Sequence, residues 1–310
     1  MAALNRREFL TRALASAAVA SLVPGSLLAA PRRRLLCFTK SSGFQHGPVK
    51  RGADGSLSLV ERVLKEQGTL HGFDVECTKD GSIFTSAGLK DFDAFFFYTS
   101  GMLTEAGTDG TPPMPAGGKT ALLDAVRGGK GFVAVHSSTD SFHTLPDPPD
   151  RSNRYVAHGA ASDPYLKMLG GEFIAHGKQQ SAPMRVVDAA FPGMSSFGSA
   201  EVDRWGEWYS LKDFAPDLHV LAVLETKGMP DSFYQRGAYP VAWAREHGQG
   251  RVFYSALGHL EREWEEPAFL GHLLGGLSWA FGDASAATPP NLAAAAPRYA
   301  DIPPFPKSSQ

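Results

Sequence analysis

The sequence predicts an α/β domain with a doubly wound, mostly parallel sheet. Three observations predict it. Short, continuously apolar runs recur through the first half of the chain. Stretches of helical periodicity alternate with them. The runs end in polar, glycine-containing turns. Apolar runs without alternation are strands buried on both faces, and strand–helix alternation makes right-handed parallel units. The chain has 310 residues, of which 43% are hydrophobic, enough for one large core.

The first expected strand is Arg34-Leu35-Leu36-Cys37-Phe38-Thr39. A polar loop from Lys40 to His46 follows it. Next comes a helix with Leu57, Val60, Val63 and Leu64 inward and Ser56 or Ser58 as its cap. Phe73–Thr78 and Ala94–Tyr98 read as the second and third strands. Lys119–Arg127 reads as a helix with Leu122, Leu123 and Val126 inward, and Gly128–Gly131 turns into a fourth strand, Phe132–His136. From Ser137 to about Pro183 the pattern turns irregular and Pro-rich, the mark of a functional insertion. Later strands are expected at 184–187, 219–226, 241–245 and 251–255. Pro267 opens a last helix through Phe281, because proline suits the first helical position. The domain is thus read as residues 31–283, with an Ala/Pro-rich tail at 284–310.

Residues 1–30 read as an exported leader. Arg6-Arg7-Glu8-Phe9-Leu10 precedes a small-residue apolar stretch, and Pro24-Gly25 breaks it before it could span a bilayer comfortably. The paired arginines resemble a twin-arginine signal. The expectations are recognition by the twin-arginine export machinery, cleavage, a periplasmic or otherwise exported product, and no stable membrane span afterwards. Lys+Arg is 30 against Asp+Glu 32, so nothing predicts a nucleic-acid partner. The two cysteines, Cys37 and Cys77, form no Cys-x-x-Cys and read as buried free thiols.

Dinucleotide, P-loop, zincin and nucleophile-elbow signatures are all missing from the sequence. Ligands of open α/β sheets bind beyond the carboxyl ends of the strands. His46 follows the first expected strand, His136 ends the fourth, and His259 follows the last. Ser137 and Asp140 come just after His136; His176 lies in the insertion, and Glu207-Trp208-Tyr209 lies beyond it. A lone histidine at a strand end is more often structural than catalytic. Three converging on one edge suit acid–base chemistry or a metal, for which His46, His136 and His259 are the candidate ligands and zinc a candidate ion. His71, His219, His247 and His272 are read as structural, and Trp205, Trp208, Trp243 and Trp264 as core rather than sugar platforms.

Six segments carry a resemblance. They are Thr39–His46, Gly131–Asp140, Leu169–His176, Glu207-Trp208-Tyr209, Pro240–Trp243 and Gly250–His259. In this order they resemble the ThuA-like family, named for trehalose utilisation. The resemblance implies a flavodoxin-like, class I glutamine amidotransferase-like fold and a carbohydrate substrate, as a hydrolase or lyase on a sugar or a 3-keto-sugar. It places His46, His136, His176, Glu207 and His259 on recurrent polar positions. Gly206 and Tyr239 depart from the family pattern, standing where an acidic residue and a histidine are common. No cysteine stands at the amidotransferase nucleophile position, so amidotransfer is not expected. Ser137 or Ser138 remains a weak candidate nucleophile, because no Gly-flanked elbow is visible in the sequence.

The resulting assignment is His136, His259, Glu207 and Asp140 as catalytic groups, with Glu207 and Asp140 orienting the histidines or holding sugar hydroxyls. His46, His176, Trp208, Tyr209 and Ser137 are assigned to substrate binding. A non-enzymatic sugar-binding or sensing module is the alternative from another class, and a structural partner domain with a relict pocket is a third.

Overall fold

A computed structural model describes residues 32–306. The leader reading and its cleavage site therefore lie outside the described residues.

The strands are β1 (Arg33–Phe38), β2 (Phe73–Thr78), β3 (Ala94–Phe97), β4 (Gly131–Val135), β5 (Glu172–His176), β6 (Gln180–Val186), β7 (Glu201–Gly206), β8 (Tyr209–Lys212), β9 (His219–Leu224), β10 (Tyr239–His247) and β11 (Gly250–Ser255). The helices are α1 (Leu59–His71), α2 (Ser86–Leu89), α3 (Gly118–Arg127), α4 (Pro164–Leu169), α5 (Pro267–Phe281) and α6 (Leu292–Ala295). Nine strands form one sheet in the order β2-β1-β3-β4-β11-β10-β9-β6-β7, and β5 pairs with β8 in a separate ribbon. From β2 to β11 every pairing is parallel. This is the doubly wound core the sequence predicts. Beyond β11 the pairings turn antiparallel, so the far half of the sheet is built by a meander rather than by crossovers.

Residues of β3 and β4 are buried throughout, as helices on both faces of a parallel sheet require. Of the two candidate caps for α1, Ser58 is the one used. It accepts from Glu61 N while Glu61 accepts from Ser58 N, a reciprocal capping box. Leu57 lies outside that helix. Glu61 also takes a bidentate bond from Arg51 and a hydroxyl bond from Thr39, tying the helix start to the end of β1.

Cys37 and Cys77 sit opposite each other on β1 and β2 as free thiols, Cys37 buried and Cys77 half-buried. The tail is ordered as far as it is described. Leu292, Ala295 and Ala296 are buried, and Asn291 exchanges two hydrogen bonds with the Val220 backbone on β9. Among the described residues no helix is long and apolar enough to cross a membrane.

Candidate metal and carbohydrate site

The connections reverse direction between β1 and β3, and a ligand cleft opens beyond the strand ends at such a point. Three histidines arrive there on three strand-end loops. His46 follows β1, His136 directly follows β4, and His259 follows β11. Glu207 lies in the short link between β7 and β8, and His176 closes β5 opposite Tyr209.

His136 does not end β4 as expected. It starts a tight turn, His136–Asp140, with φ at 43°. Positive φ is costly for a residue with a Cβ, and such strain gathers at functional sites. The strained turn that the sequence does not display is therefore present, with an imidazole on its first residue. The His136 ring is fully buried. Its Nδ1 lies 3.1 Å from the Ala256 carbonyl. Donating there fixes the proton on Nδ1 and leaves the Nε2 lone pair for the cluster.

His136 Nε2, His259 Nδ1 and Glu207 Oε2 form a tight triangle, with separations of 3.1, 3.3 and 3.4 Å. One ring nitrogen of His46 completes a group of four donor atoms that all lie within 4.8 Å of one another. Tetrahedral ligands about 2.0–2.1 Å from a zinc ion stand about 3.3–3.4 Å apart, so the triangle already has ligand spacing. His46 Nδ1 is buried with no hydrogen-bond partner, and the ring packs edge-on to His136 at 4.9 Å. His259 Nε2 meets the Gln179 side-chain amide at 2.9 Å. The atom facing it is the amide nitrogen, which donates to Nε2 and leaves the ring proton on Nδ1, directed at His136 Nε2 and Glu207, where a bound cation would displace it. The donor set thus fits a divalent ion.

Burial, then the neighbouring imidazoles, hold the His46 pKa down to about 2. Burial and His136 lower His259 to about 4, against the opposing pull of Glu207. Both rings are neutral at ordinary pH, the state in which imidazole ligates or acts as a base. Burial pushes the Glu207 carboxyl up. The imidazoles that face it, His136 first and then His259 and His176, outweigh that and hold it below the usual range.

The cluster borders a cavity of about 900 Å³. Its lining includes His46, Asp140, His176, Glu207, Tyr209 and His259. The His176 ring stacks on Tyr209 at 9°, and its Nδ1 lies 3.4 Å from Glu207. Asp140 reaches the cavity but orients none of the clustered histidines. Its bonded partners are His143 and Arg154. Trp208 is 1% exposed with its indole N–H given to the Gln180 carbonyl, so it braces the Glu207 link and leaves substrate contact to others. Ser137 is likewise 1% exposed, lies outside the cavity lining, and its hydroxyl has no hydrogen-bond partner. Ser138 Oγ is taken by the Phe97 carbonyl. Neither serine is placed as a nucleophile.

Of the two departures, only Tyr239 has a structural role, and nothing in the structure requires glycine at 206. A Cβ at Gly206 would meet nothing within 4 Å, while Tyr239 is buried and donates to the Tyr209 carbonyl. Glu261, two residues after His259, makes no bond to that ring among the described residues. Glu207 supplies the carboxylate instead. Gln179, His143 and Arg154 also line the cavity without having stood out in the sequence. His143 alone carried a signal, falling three residues after Asp140 in the same segment.

His158, Glu172 and Asp213 form a second carboxylate–imidazole cluster. It is not vacant for a cation. The buried Lys212 ammonium stands 3.1 Å from His158 Nδ1, 3.7 Å from Glu172 and 3.8 Å from Asp213.

Comparison with known proteins places the fold in a family. The family model described as trehalose utilisation, ThuA, matches residues 34–146 and 153–280. The chain belongs to the ThuA family. Its fold is shared with a ThuA-like protein from Bacteroides uniformis, at 18% identity and a TM-score of 0.60, covering 83% of this chain and 94% of that one. A ThuA-like protein from Parabacteroides merdae matches at 19% identity and a TM-score of 0.52, covering 88% and 96%. No curated protein matches the chain. All four clustered side chains fall inside the ThuA match, and membership supports a carbohydrate role related to trehalose utilisation.

Proposed function

We propose that the protein is an exported enzyme that cleaves a glycoside or a 3-keto-glycoside, as a hydrolase or lyase. The observation that carries this reading is the group of three imidazoles and Glu207 at the edge of a large cavity in a ThuA-family fold. A divalent metal such as zinc would be held by His46, His136, Glu207 and His259. When bound, it supplies Lewis acidity to an oxygen of the sugar.

The chain's own groups have separate tasks. The Ala256 carbonyl and Gln179 fix the rings of His136 and His259. His176 donates from Nδ1 to the Gly177 carbonyl at 2.9 Å. Its Nε2 is then a free base on a ring that lines the cavity, fit to take a proton from a sugar carbon or hydroxyl. Asp140, held by His143 and Arg154, accepts hydrogen bonds from sugar hydroxyls. Export to the periplasm by the twin-arginine route would allow a folded, loaded protein to be delivered.

The test measures metal content of the purified protein and of His136→Ala, followed by turnover of glycosides and their 3-keto forms. The expected result is a near-stoichiometric divalent ion in the parent, its loss in His136→Ala, and product from at least one sugar. Sugar binding with no product from any would replace this reading with a non-enzymatic binding module.

A further inference from the structure

The ThuA match ends before Asp147, resumes at Asn153 and stops at Ala280. The cavity does not stop with it. Asp147, Asp150 and Arg151, from the unmatched break, and Phe305 and Pro306, from the tail, all line it. The matched framework therefore carries the histidine cluster, while segments outside the match supply part of the remaining wall.

That wall is held in place. Beyond the Asn291 anchor, Arg236 donates to the Tyr299 carbonyl and Gly237 N donates to Asp301. The segment so fixed brings Phe305 edge-on to Tyr155, with ring centres 5.1 Å apart at 77°. Arg154 clamps Asp147, which fixes the loop on the other side. Phe305 is nonetheless 46% exposed and Phe44 70% exposed, and both line this cavity. The Arg151 guanidinium is exposed at the same rim, with no side-chain partner among the described residues. A bare aromatic face beside free polar donors suits the apolar C–H face and ring hydroxyls of a pyranose. The volume, about 900 Å³, lies near the top of the range for small-molecule sites, about 300–1,000 Å³, and is far more than one pyranose fills.

We propose that Phe305, Tyr155 and the 147–151 loop form a distal subsite for the second ring of a two-ring glycoside whose reacting ring lies at the histidine cluster. The inference rests on the carbohydrate reading above and adds to it the size of the substrate and the residues that select it. Specificity is thereby set mostly outside the part of the chain that matches the family, with Tyr155 as the contribution from inside it.

Affinities of trehalose and cellobiose, each also in the 3-keto form, are compared with those of methyl glucoside and methyl 3-keto-glucoside. The comparison is made by calorimetry on the metal-loaded protein, on Phe305→Ala and on a chain ending at Pro304. Both variants leave the Asn291 and Asp301 anchors in place, and a thermal melt checks that they fold. The expected result is that the parent prefers a two-ring ligand, and that both variants lower the two-ring to one-ring affinity ratio about five- to tenfold. An unchanged ratio overturns the distal subsite and leaves the carbohydrate reading standing. Failure of the parent to bind any of the sugars overturns both.

Discussion

His136 shows how much chemistry one residue can be made to carry. Its backbone is left-handed at φ 43° and its ring is fully buried, so two costs are accepted to aim one nitrogen. Both His136→Gly and His136→Ala remove the imidazole, but only glycine relieves the backbone. The Gly variant is expected to be more stable than the Ala variant by about 1 kcal/mol, read from urea unfolding. Equal stabilities would show that the positive φ stores no strain. The neighbouring rings predict a pH dependence. An unfolded histidine binds its proton near pH 6.5, whereas the fold holds His259 at about 4 and His46 at about 2. Buried His272, at about 3, acts in the same direction. Below pH 6.5 the unfolded chain therefore binds more protons, and stability falls as pH drops through these folded values. The metal-free protein should lose stability steadily from pH 6.5 to 4, and His259→Asn should flatten that slope. A slope identical in the variant would remove His259 from the account. At this scale the sequence was informative: strand-end logic alone brought His46, His136 and His259 together. It could not separate Asp140 from that cluster, because pairing with His143 and Arg154 depends on how the insertion folds.

At the scale of elements, the insertion after β4 is organised by one buried carboxylate. Glu172 on β5 accepts from Thr144 N at 3.0 Å and Thr144 Oγ at 2.9 Å, and it faces His158 and Lys212. Burial raises its pKa, but the nearby His143 ring, the Lys212 charge, the Thr144 N–H and His158 together bring it down to about 2. Its contribution is present above the usual carboxylate range and is lost as pH falls towards 2. Glu172→Gln leaves the Lys212 ammonium buried with Asp213 as its remaining carboxylate. The expected cost is about 3 kcal/mol, with the 141–163 segment losing amide-exchange protection before the sheet does. Uniform loss of protection would mean that the clamp belongs to the global fold rather than to the insertion. Local pattern explains which elements were legible. β1, β3 and β4 are continuous apolar runs that only burial on both faces can satisfy. β5 and β8 have five and four residues and carry Glu172, His176, Ser210 and Lys212, so their pairing rests on tertiary contacts. β7 alternates exposed and partly buried residues at the edge of the main sheet and reads as loop for the same reason.

At the scale of the whole molecule, the parallel and antiparallel halves of the sheet divide the work. Parallel crossovers place three strand-end loops at one edge, and the meander returns Glu207 and His176 to the same edge from far along the chain. The tail then closes over the meander. Composition alone does not decide how it packs, since an Ala/Pro-rich stretch has little apolar area with which to declare itself. Packing is decided by a few contacts, with Leu292, Ala295 and Ala296 buried and the Pro289 and Ala295 carbonyls taken by His219 and Arg185. These contacts predict opposite results for two truncations. Ending the chain at Asp283 exposes the Leu292 site and removes the tail partners of His219, Arg185 and Val220, leaving Asp188 on His219 and Glu225 on Arg185. It should cost about 3 kcal/mol or more, from one large apolar side chain and several hydrogen bonds. Ending it at Pro304 removes none of these anchors and should leave the unfolding free energy from urea titration within about 0.5 kcal/mol of the parent. If the Asp283 truncation unfolds at the same urea concentration as the full chain, the tail is only draped on the domain. It could not then hold Phe305 at the cavity mouth.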